Sequence, residues 1–539
     1  MVGHGSSEHW RGRKEQPSSP LDRILHSRHS DLYLGIVILL IATIPRLFYI
    51  SRGVIPNGVD EGIDIMAGRM WDFGYDLYSQ INTVQAPLML SVYGMIEADP
   101  VIFRLFSTVC SLFIMALVMW AGRRIGGRHV MVASGAFVAL DLMFLHEARL
   151  ASLDMFCLLW VSLGVAFLVK FRQSGSKRAL LLMGISLAIS SMIKLFGVIA
   201  TGTIGLILLF DMISGWGPVG RFGLERLLPP SKYGSVRIKH LMIFTLSYTL
   251  IVLFIMARYG IGDVVQGIFL NQLQRPVLPF TQRVSFFGIF MLLNLGAIPF
   301  FIFGVKRLYF RPEGVILIIS GAYLLFFIFQ STTWMHHLVF LSPTISLTAG
   351  VGVIEVARWW SRRERFKRNP HFARRALIFI QVTLILSAAV VGGAFSWMVK
   401  ERGSAIEDRA AEVVMEITEE GDFVISGDPI VPAKADRLIP PNLVNVAFLK
   451  FPQITNDELN ETCIRYAVEV VVITYHLDEM TGFVDFVRSN FTLRANIERM
   501  DFFLDRDPMV YRIYYLPVDS RLRSIPGWGA DKNIQPDDL

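Results

Sequence analysis

The stretch VDEGIDIMAGRMWDFGYD, residues 59–76, concentrates the carboxylates Asp60, Glu61, Asp64, Asp72 and Asp76 against a single base, Arg69. Adjacent acids such as Asp60-Glu61 repel each other, so the pair needs a partner or a purpose. A carboxylate placed this way can take a proton from a weak oxygen nucleophile as a general base, or bind a hard cation. Asp64, Asp72 and Asp76 read as ordinary solvated loop acids.

Three further stretches carry reactive side chains. HEARLASLD holds His146, Glu147, Arg149 and Asp154 between two apolar runs, and ionisable groups at the hydrocarbon boundary are costly and tend to be functional. Lys194, in SSMIKLFGVIAT, is a cation closely flanked by apolar sequence, suited to a lipid phosphate. The segments RYGIGDVVQGIFLNQLQRPVLPFTQR and STTWMHH add Arg258, Arg275, Arg283, His336 and His337, and an arginine can grip a phosphate through two N–H donors. There is no GxxxxGK[ST] loop, no GxGxxG after a strand, no HExxH and no CxxC pair, which argues against an ATP-driven pump, a dinucleotide enzyme and a classical zinc protease.

The elements that position these groups are membrane helices. The chain has 539 residues, a mean hydropathy of +0.48, 53% hydrophobic residues and 18% charged residues, against about 25% charged in soluble domains. Runs near the roughly 20 residues needed to cross a bilayer number about eleven: 32–50, 100–120, 129–145, 155–170, 179–193, 196–211, 241–258, 284–304, 314–330, 338–356 and 376–398. Lys and Arg crowd the segments 1–31, 121–128, 170–178, 212–240, 305–312 and 357–375, whereas the intervening loops hold few, Arg52 and Arg69 in 51–99 among them. That bias puts the N-terminus inside and explains most of the net charge of +7 as topology. The long basic N-terminus lacks the form of a cleavable signal, so 32–50 reads as a retained helix.

The fold class expected is therefore a polytopic α-helical membrane protein with a C-terminal exterior α/β domain. Its parts are a cytoplasmic tail (1–31), a transmembrane domain (32–398) with a catalytic loop at 51–99 on the exterior face, and a soluble domain (399–539). In the last, AIEDRAAEVVMEITEE reads as an amphipathic helix, and DFVISGD, VEVVVITY and VYRIYYL as strands. Three cysteines, Cys110, Cys157 and Cys463, are too few for a disulfide framework. Two sequons, Asn460-Glu461-Thr462 and Asn490-Phe491-Thr492, are compatible with an exterior location.

The order of these pieces resembles one family. A first apolar helix is followed by Asp60-Glu61, then Gly74 and Tyr78, then Gln85-Ala86-Pro87-Leu88 opening a helix. HEARLASLD, Lys194-Leu195-Phe196-Gly197, HHLVFLSPTISLTAG with Pro343, and ADRLIPPNLVNVAF complete the series. This is similar to the C-superfamily membrane glycosyltransferases, in the branch of the dolichyl-phosphate-mannose protein mannosyltransferases and aminoarabinose transferases. The resemblance implies a multi-pass enzyme of the cell membrane that moves a sugar, mannose in the family, from a polyprenyl- or dolichyl-phosphate donor to a hydroxyl of a protein, glycan or lipid, with inversion. It implies Asp60 as base with Glu61 beside it. It also implies a donor-phosphate and lipid site drawn from Arg69, Gln85, Arg149, Lys194, Arg275 and Arg283, and substrate contacts from Tyr78, His146, Glu147, Asp154, His336 and His337. No cofactor is required by such a mechanism, and a divalent metal is compatible with the clustered carboxylates.

The branch often carries Lys or His before the proline where this chain has Gln85-Ala86, so another cation must hold the phosphate. The alternative reading is a transporter or flippase with an exterior cap, which would need its polar groups near mid-bilayer. An oligosaccharyltransferase would carry a Trp-Trp-Asp signature, whereas Trp359-Trp360 is followed by Ser361.

Overall fold

A computed structural model of the chain describes residues 30–48, 50–52, 58–96, 99–214, 228–229, 236–273, 277–330, 332–361, 378, 405–445, 454–499 and 509–532. The principal helices of the first part are α1 (Ser30–Leu47), α2 (Gly58–Asp72), α3 (Pro87–Met95), α4 (Pro100–Gly126), α5 (Arg128–Leu140), α6 (Leu142–Glu147), α7 (Leu153–Ser174), α8 (Lys177–Ile193), α9 (Phe196–Ser214), α10 (Ile238–Arg258), α11 (Phe280–Leu293), α12 (Ile298–Tyr309), α13 (Val315–Phe329) and α14 (Ser342–Ser361). Their ends follow local chemistry. The Asp99 carboxylate accepts from Val101 N at 2.7 Å and Pro100 opens α4, while Gly127 closes it at φ 80°.

Seven described helices are long and apolar enough to cross a membrane, or eight if the bent pair α11–α12 is one span. Several expected spans take other forms. Asp141 interrupts 129–145, because its carboxylate accepts from Phe144 N at 3.0 Å and starts α6 there. The run 284–304 bends by 91° between α11 and α12. The run 376–398 lies outside the described residues apart from Ile378. On α10, Leu250 and Phe254 are 63% and 76% exposed, as a lipid-facing helix requires. The protein is a multi-pass membrane protein.

The C-terminal region folds around a small sheet of β1 (Val424–Ser426), β2 (Val470–Ile473), β3 (Thr492–Arg499) and β4 (Met509–Tyr515) in the order β1-β2-β4-β3. β1 runs parallel to β2 and β4 antiparallel to both β2 and β3, with Ile425 opposite Val471 and Val472 opposite Ile513. The expected helix appears as α15 (Ala405–Ile417), and the three expected strands as β1, β2 and β4. β3, an edge strand, was not anticipated: Arg494, Asn496 and Glu498 break up its sequence, which has only Thr492 and Ile497 as β-branched residues.

This region leans on α2. After β1 the chain turns through Gly427-Asp428-Pro429 into α16 (Ile430–Ala435), whose start meets Gly62 of α2 so closely that a Cβ there would lie 2.3 Å from Ile430 N. Arg69 on α2 pairs with Asp436 at 2.9 Å, and Asn82 N donates to Pro441 O at 3.2 Å. On its membrane side, α2 is tied by Glu61. Arg104 of α4 donates Nε and Nη2 to the two oxygens of that carboxylate, both at 2.7 Å, and Nη1 to Ile50 O and Ser51 O at 3.0 and 2.7 Å. Ala151 N also donates to Glu61 Oε1 at 2.8 Å.

Two consequences are measurable. Arg104 and Glu61 are 1% and 3% exposed, and removing one partner of a buried pair strands the other charge, so Arg104→Ala should lose about 3–5 kcal/mol of stability. Thermal unfolding in detergent checks this, and a loss below the experimental error would contradict it. The second concerns Asp428, which is 1% exposed and accepts from Tyr511 Oη at 2.6 Å. Burial, aided by the charge of Glu407, pushes its carboxyl from the ordinary 3.8 up to about 7. The folded state therefore holds the proton more tightly than the unfolded chain, and this group's contribution is largest below pH 3.8, falls as pH rises to about 7, and is flat above. Relative to wild type, Asp428→Asn should gain protection at β1 and β2 as pH rises through that window, read by hydrogen exchange corrected for intrinsic rates. A pH-independent difference between the two would count against it.

Candidate active site

A cavity of about 320 Å³ opens where the start of α2, the 84–85 segment, the α6–α7 connection, the α8–α9 break and the 3₁₀ turn Met335–Leu341 converge. Asp60 enters it from the first turn of α2, with its side chain 61% exposed. Glu61, one residue on, has its carboxylate taken by Arg104 and Ala151. The adjacent acids thus have different work: Glu61 fixes the helix, and its charge is neutralised, while Asp60 faces the cavity. Asp64, one turn further along α2, is also buried and lines the cavity, which the reading as a solvated loop acid missed. Its spacing four residues from Asp60 was the available signal. Asp72 and Asp76 are exposed and do not line it.

Opposite Asp60 sits a second charged group. Lys194, at the break between α8 and α9, donates Nζ to Asp154 Oδ2 at 2.8 Å and lies 5.1 Å from the Phe196 ring centre. Asp154 is 3% exposed, and its Oδ1 has no hydrogen-bond partner among the described residues. His336 bridges the two sides, with Nε2 at 3.7 Å from Asp154 Oδ2 and 3.9 Å from Asp60 Oδ2. His337 packs edge-on against Phe196 at 4.6 Å between ring centres and accepts from Trp334 N through Nδ1 at 3.2 Å. Glu147 lines the cavity while bonded to His146 Nδ1 at 2.9 Å and to Ser152 Oγ at 2.6 Å. Gln272, Gln330, Thr332 and Trp334 complete the wall; polar but uncharged, they stood out in no motif.

The other expected residues lie elsewhere. Arg149 is fully buried and spends Nη1 and Nη2 on Pro45 O and Phe48 O at the end of α1. Arg283 caps the end of α13 by donating Nη1 to Ile328 O and Gln330 O, both at 2.9 Å. Arg69 faces the C-terminal region. None of the three lines the cavity, and Arg275 lies outside the described residues. Gln85 does line it. Tyr78, held at φ 75°, supports that segment through a 2.8 Å bond from its hydroxyl to Gln85 O, and a non-glycine residue in that region costs about 1–3 kcal/mol.

Asp154, His336 and His337 offer ligand atoms within 4.8 Å of one another, a carboxylate and imidazole set that suits a divalent ion. Two existing bonds compete with that use: the Lys194 ammonium occupies Asp154 Oδ2, and His337 Nδ1 accepts from backbone.

Residues 86–259 match the sequence model of the family described as dolichyl-phosphate-mannose-protein mannosyltransferase. No curated protein sequence matches the chain. Among solved structures, ArnT from Cupriavidus metallidurans in the apo state is similar at a TM-score of 0.60 and 13% identity, over 90% of this chain and 98% of that one. The same protein bound to undecaprenyl phosphate gives 0.59 and 14%, with the same coverage. The archaeal oligosaccharyltransferase AglB from Archaeoglobus fulgidus, in complex with an inhibitory peptide and a dolichol-phosphate, gives 0.51 and 13% over 90% of this chain and 76% of that one. The family match covers the helices that carry Glu147, Asp154 and Lys194, and the fold agrees along nine-tenths of the chain. Residues 86–259 are thus similar in sequence to the protein mannosyltransferase family, and the chain shares the fold of ArnT.

Proposed function

We propose that this protein transfers a sugar from a polyprenyl- or dolichyl-phosphate donor to a hydroxyl acceptor, with inversion at the anomeric carbon, on the exterior face of the cell membrane. One observation carries the reading: an exposed carboxylate, Asp60, faces a half-buried ammonium, Lys194, across a single cavity, with His336 between them. Asp60 takes the acceptor O–H proton as the acceptor oxygen forms its bond to the anomeric carbon. The bond from that carbon to the phosphate oxygen breaks at the same time, and the electron pair leaves with the phosphate. The leaving group is already a stable anion, so it gains more from a cation than from a general acid. Lys194 has three N–H donors and Asp154 takes one, which leaves donors for phosphate oxygens.

The charged groups of the cavity lie at helix ends rather than midway along the spans, which favours this reading over a transporter. The family description makes mannose the first sugar to test, with a protein, glycan or lipid as acceptor. Mass spectrometry of surface glycoproteins and glycolipids from cells with and without the enzyme identifies both.

Asp60→Asn should lower turnover by about a hundred- to ten-thousandfold while leaving thermal unfolding unchanged, since the side chain is exposed. Turnover near that of the wild type would reject Asp60 as base. Lys194→Ala should raise the KM for the lipid-linked donor more than that for the acceptor, and an equal rise in both would contradict a phosphate role.

A further inference from the structure

At the far end of the helix bundle lies a second site. Asp154, at the start of α7, lines the catalytic cavity, and Gln173, near its end, lines a basic recess of about 1130 Å³. A helix rising 1.5 Å per residue puts them about 28 Å apart, the thickness of the hydrocarbon core. The recess is therefore on the membrane face opposite the catalytic cavity. Its walls include Arg124, Arg307 and Arg311. Glu313 also faces it, but that carboxylate accepts from Gln173 Nε2 at 2.8 Å, and Gln173 Oε1 accepts from Arg124 Nη2 at 2.6 Å. Glu355 lies 3.4 Å from Arg307 Nε. The guanidiniums outnumber the carboxylates.

Arg124 and Glu313 also line the mouth of a second, narrow and apolar cavity that runs into the bilayer region between α4, α7, α13 and α14. Along α4 its lining extends from Arg124 to Ile114, about 15 Å, which is the depth of one leaflet. Trp120 stands at the mouth, 5.0 Å from the Arg124 guanidinium, as aromatic side chains do at headgroup level. The deep end is closed by Tyr323 and Phe340, whose ring centres lie 5.0 Å apart.

We propose that this slot and recess together bind one anionic phospholipid of the leaflet opposite the catalytic cavity, with an acyl chain along α4 and its phosphate among Arg124, Arg307 and Arg311. Charge complementarity at the mouth selects an anionic headgroup, and the one-leaflet length selects a chain anchored at that face. Basic pockets between membrane helices recognise lipid phosphates in this way. The deep end also touches the catalytic side: Phe340 packs on Phe196 at 5.5 Å between ring centres, and Phe196 lines the catalytic cavity beneath Lys194.

The test is native mass spectrometry of the full chain released from nanodiscs of equal phosphatidylglycerol and phosphatidylcholine. Wild type should retain one phosphatidylglycerol in preference to phosphatidylcholine, and neither inorganic phosphate nor glycerol phosphate should displace it. Each Arg→Gln change at Arg124, Arg307 or Arg311 should cut that preference by about fivefold, the equivalent of about 1 kcal/mol per basic residue. Ala166→Trp, which fills the slot from α7, should abolish retention of either lipid. Equal retention of the two lipids by wild type, displacement by inorganic phosphate, or unchanged retention in Ala166→Trp would each overturn the proposal. So would a photocrosslinker at position 166 that captured the run 376–398 instead of lipid. The wild-type arms decide the matter even where a variant fails to fold.

Discussion

The arrangement of the site depends on one buried ion pair. Glu61 and Arg104 meet through two parallel N–H···O bonds in a place where either charge alone would be prohibitive. The pair is tolerated because its remaining polar atoms are also used: the arginine reaches two carbonyls past the end of α1, and the carboxylate takes a third bond from Ala151 N. Three chain segments, around 50–51, 104 and 151, are thereby fixed to the first turn of α2. Asp60 precedes Glu61 on that turn, so the pair that anchors Glu61 also aims Asp60. The same pair removes the repulsion between the adjacent carboxylates, because the charge of Glu61 is balanced in place.

The opposite flank of α2 is held by the C-terminal region. Gly62 meets the backbone of Ile430 without a side chain between them, and any larger residue would push α16 away from α2. The C-terminal sheet is thus mechanically connected to α2, whose first turn carries Asp60, through β1, the Asp428 loop and α16. The segment ADRLIPPNLVNVAF, distinctive in the sequence, finds its use here. Its Asp436 pairs with Arg69 and its Pro441 carbonyl receives Asn82 N, which braces the 77–85 loop that leads to Gln85.

Much of this was legible in the sequence where pattern and chemistry coincide. Long apolar runs gave α4, α7 and α9, and β-branched runs gave β2 and β4. Asp60, Lys194, Asp154 and His336 were each conspicuous as charge or imidazole beside apolar sequence, and the fold brings them into one cavity. What the sequence hid was the destination of each charge. Arg149 and Arg283 looked like phosphate ligands because an arginine at a span end has the right chemistry, yet both donate to helix-end carbonyls, groups that a low-dielectric setting leaves in need of donors. Arg104 sits within the apolar run 100–120, but its partner lies 43 residues away, and no local pattern encodes such a pairing. Asp141 gave no warning of a helix break, since a buried acid that caps a helix start looks, in sequence, like an acid within a span.

The missing lysine at Gln85 sharpens the question of donor charge. Gln85 lines the cavity but offers only an amide, and Arg69, Arg149 and Arg283 are committed elsewhere. Asp60, Asp64, Glu147 and Asp154 surround the same space as one ammonium and two imidazoles. A phosphodiester entering that space adds negative charge to an already acidic wall, and at an effective dielectric of about 20 a single unbalanced pair at 4 Å is worth about 4 kcal/mol. Lys194, already bonded to Asp154, balances only part of it. His336, within 4 Å of both Asp60 and Asp154, stands between the two acids, which makes it the residue that joins the Asp60 side of the cavity to the side where Lys194 bonds Asp154.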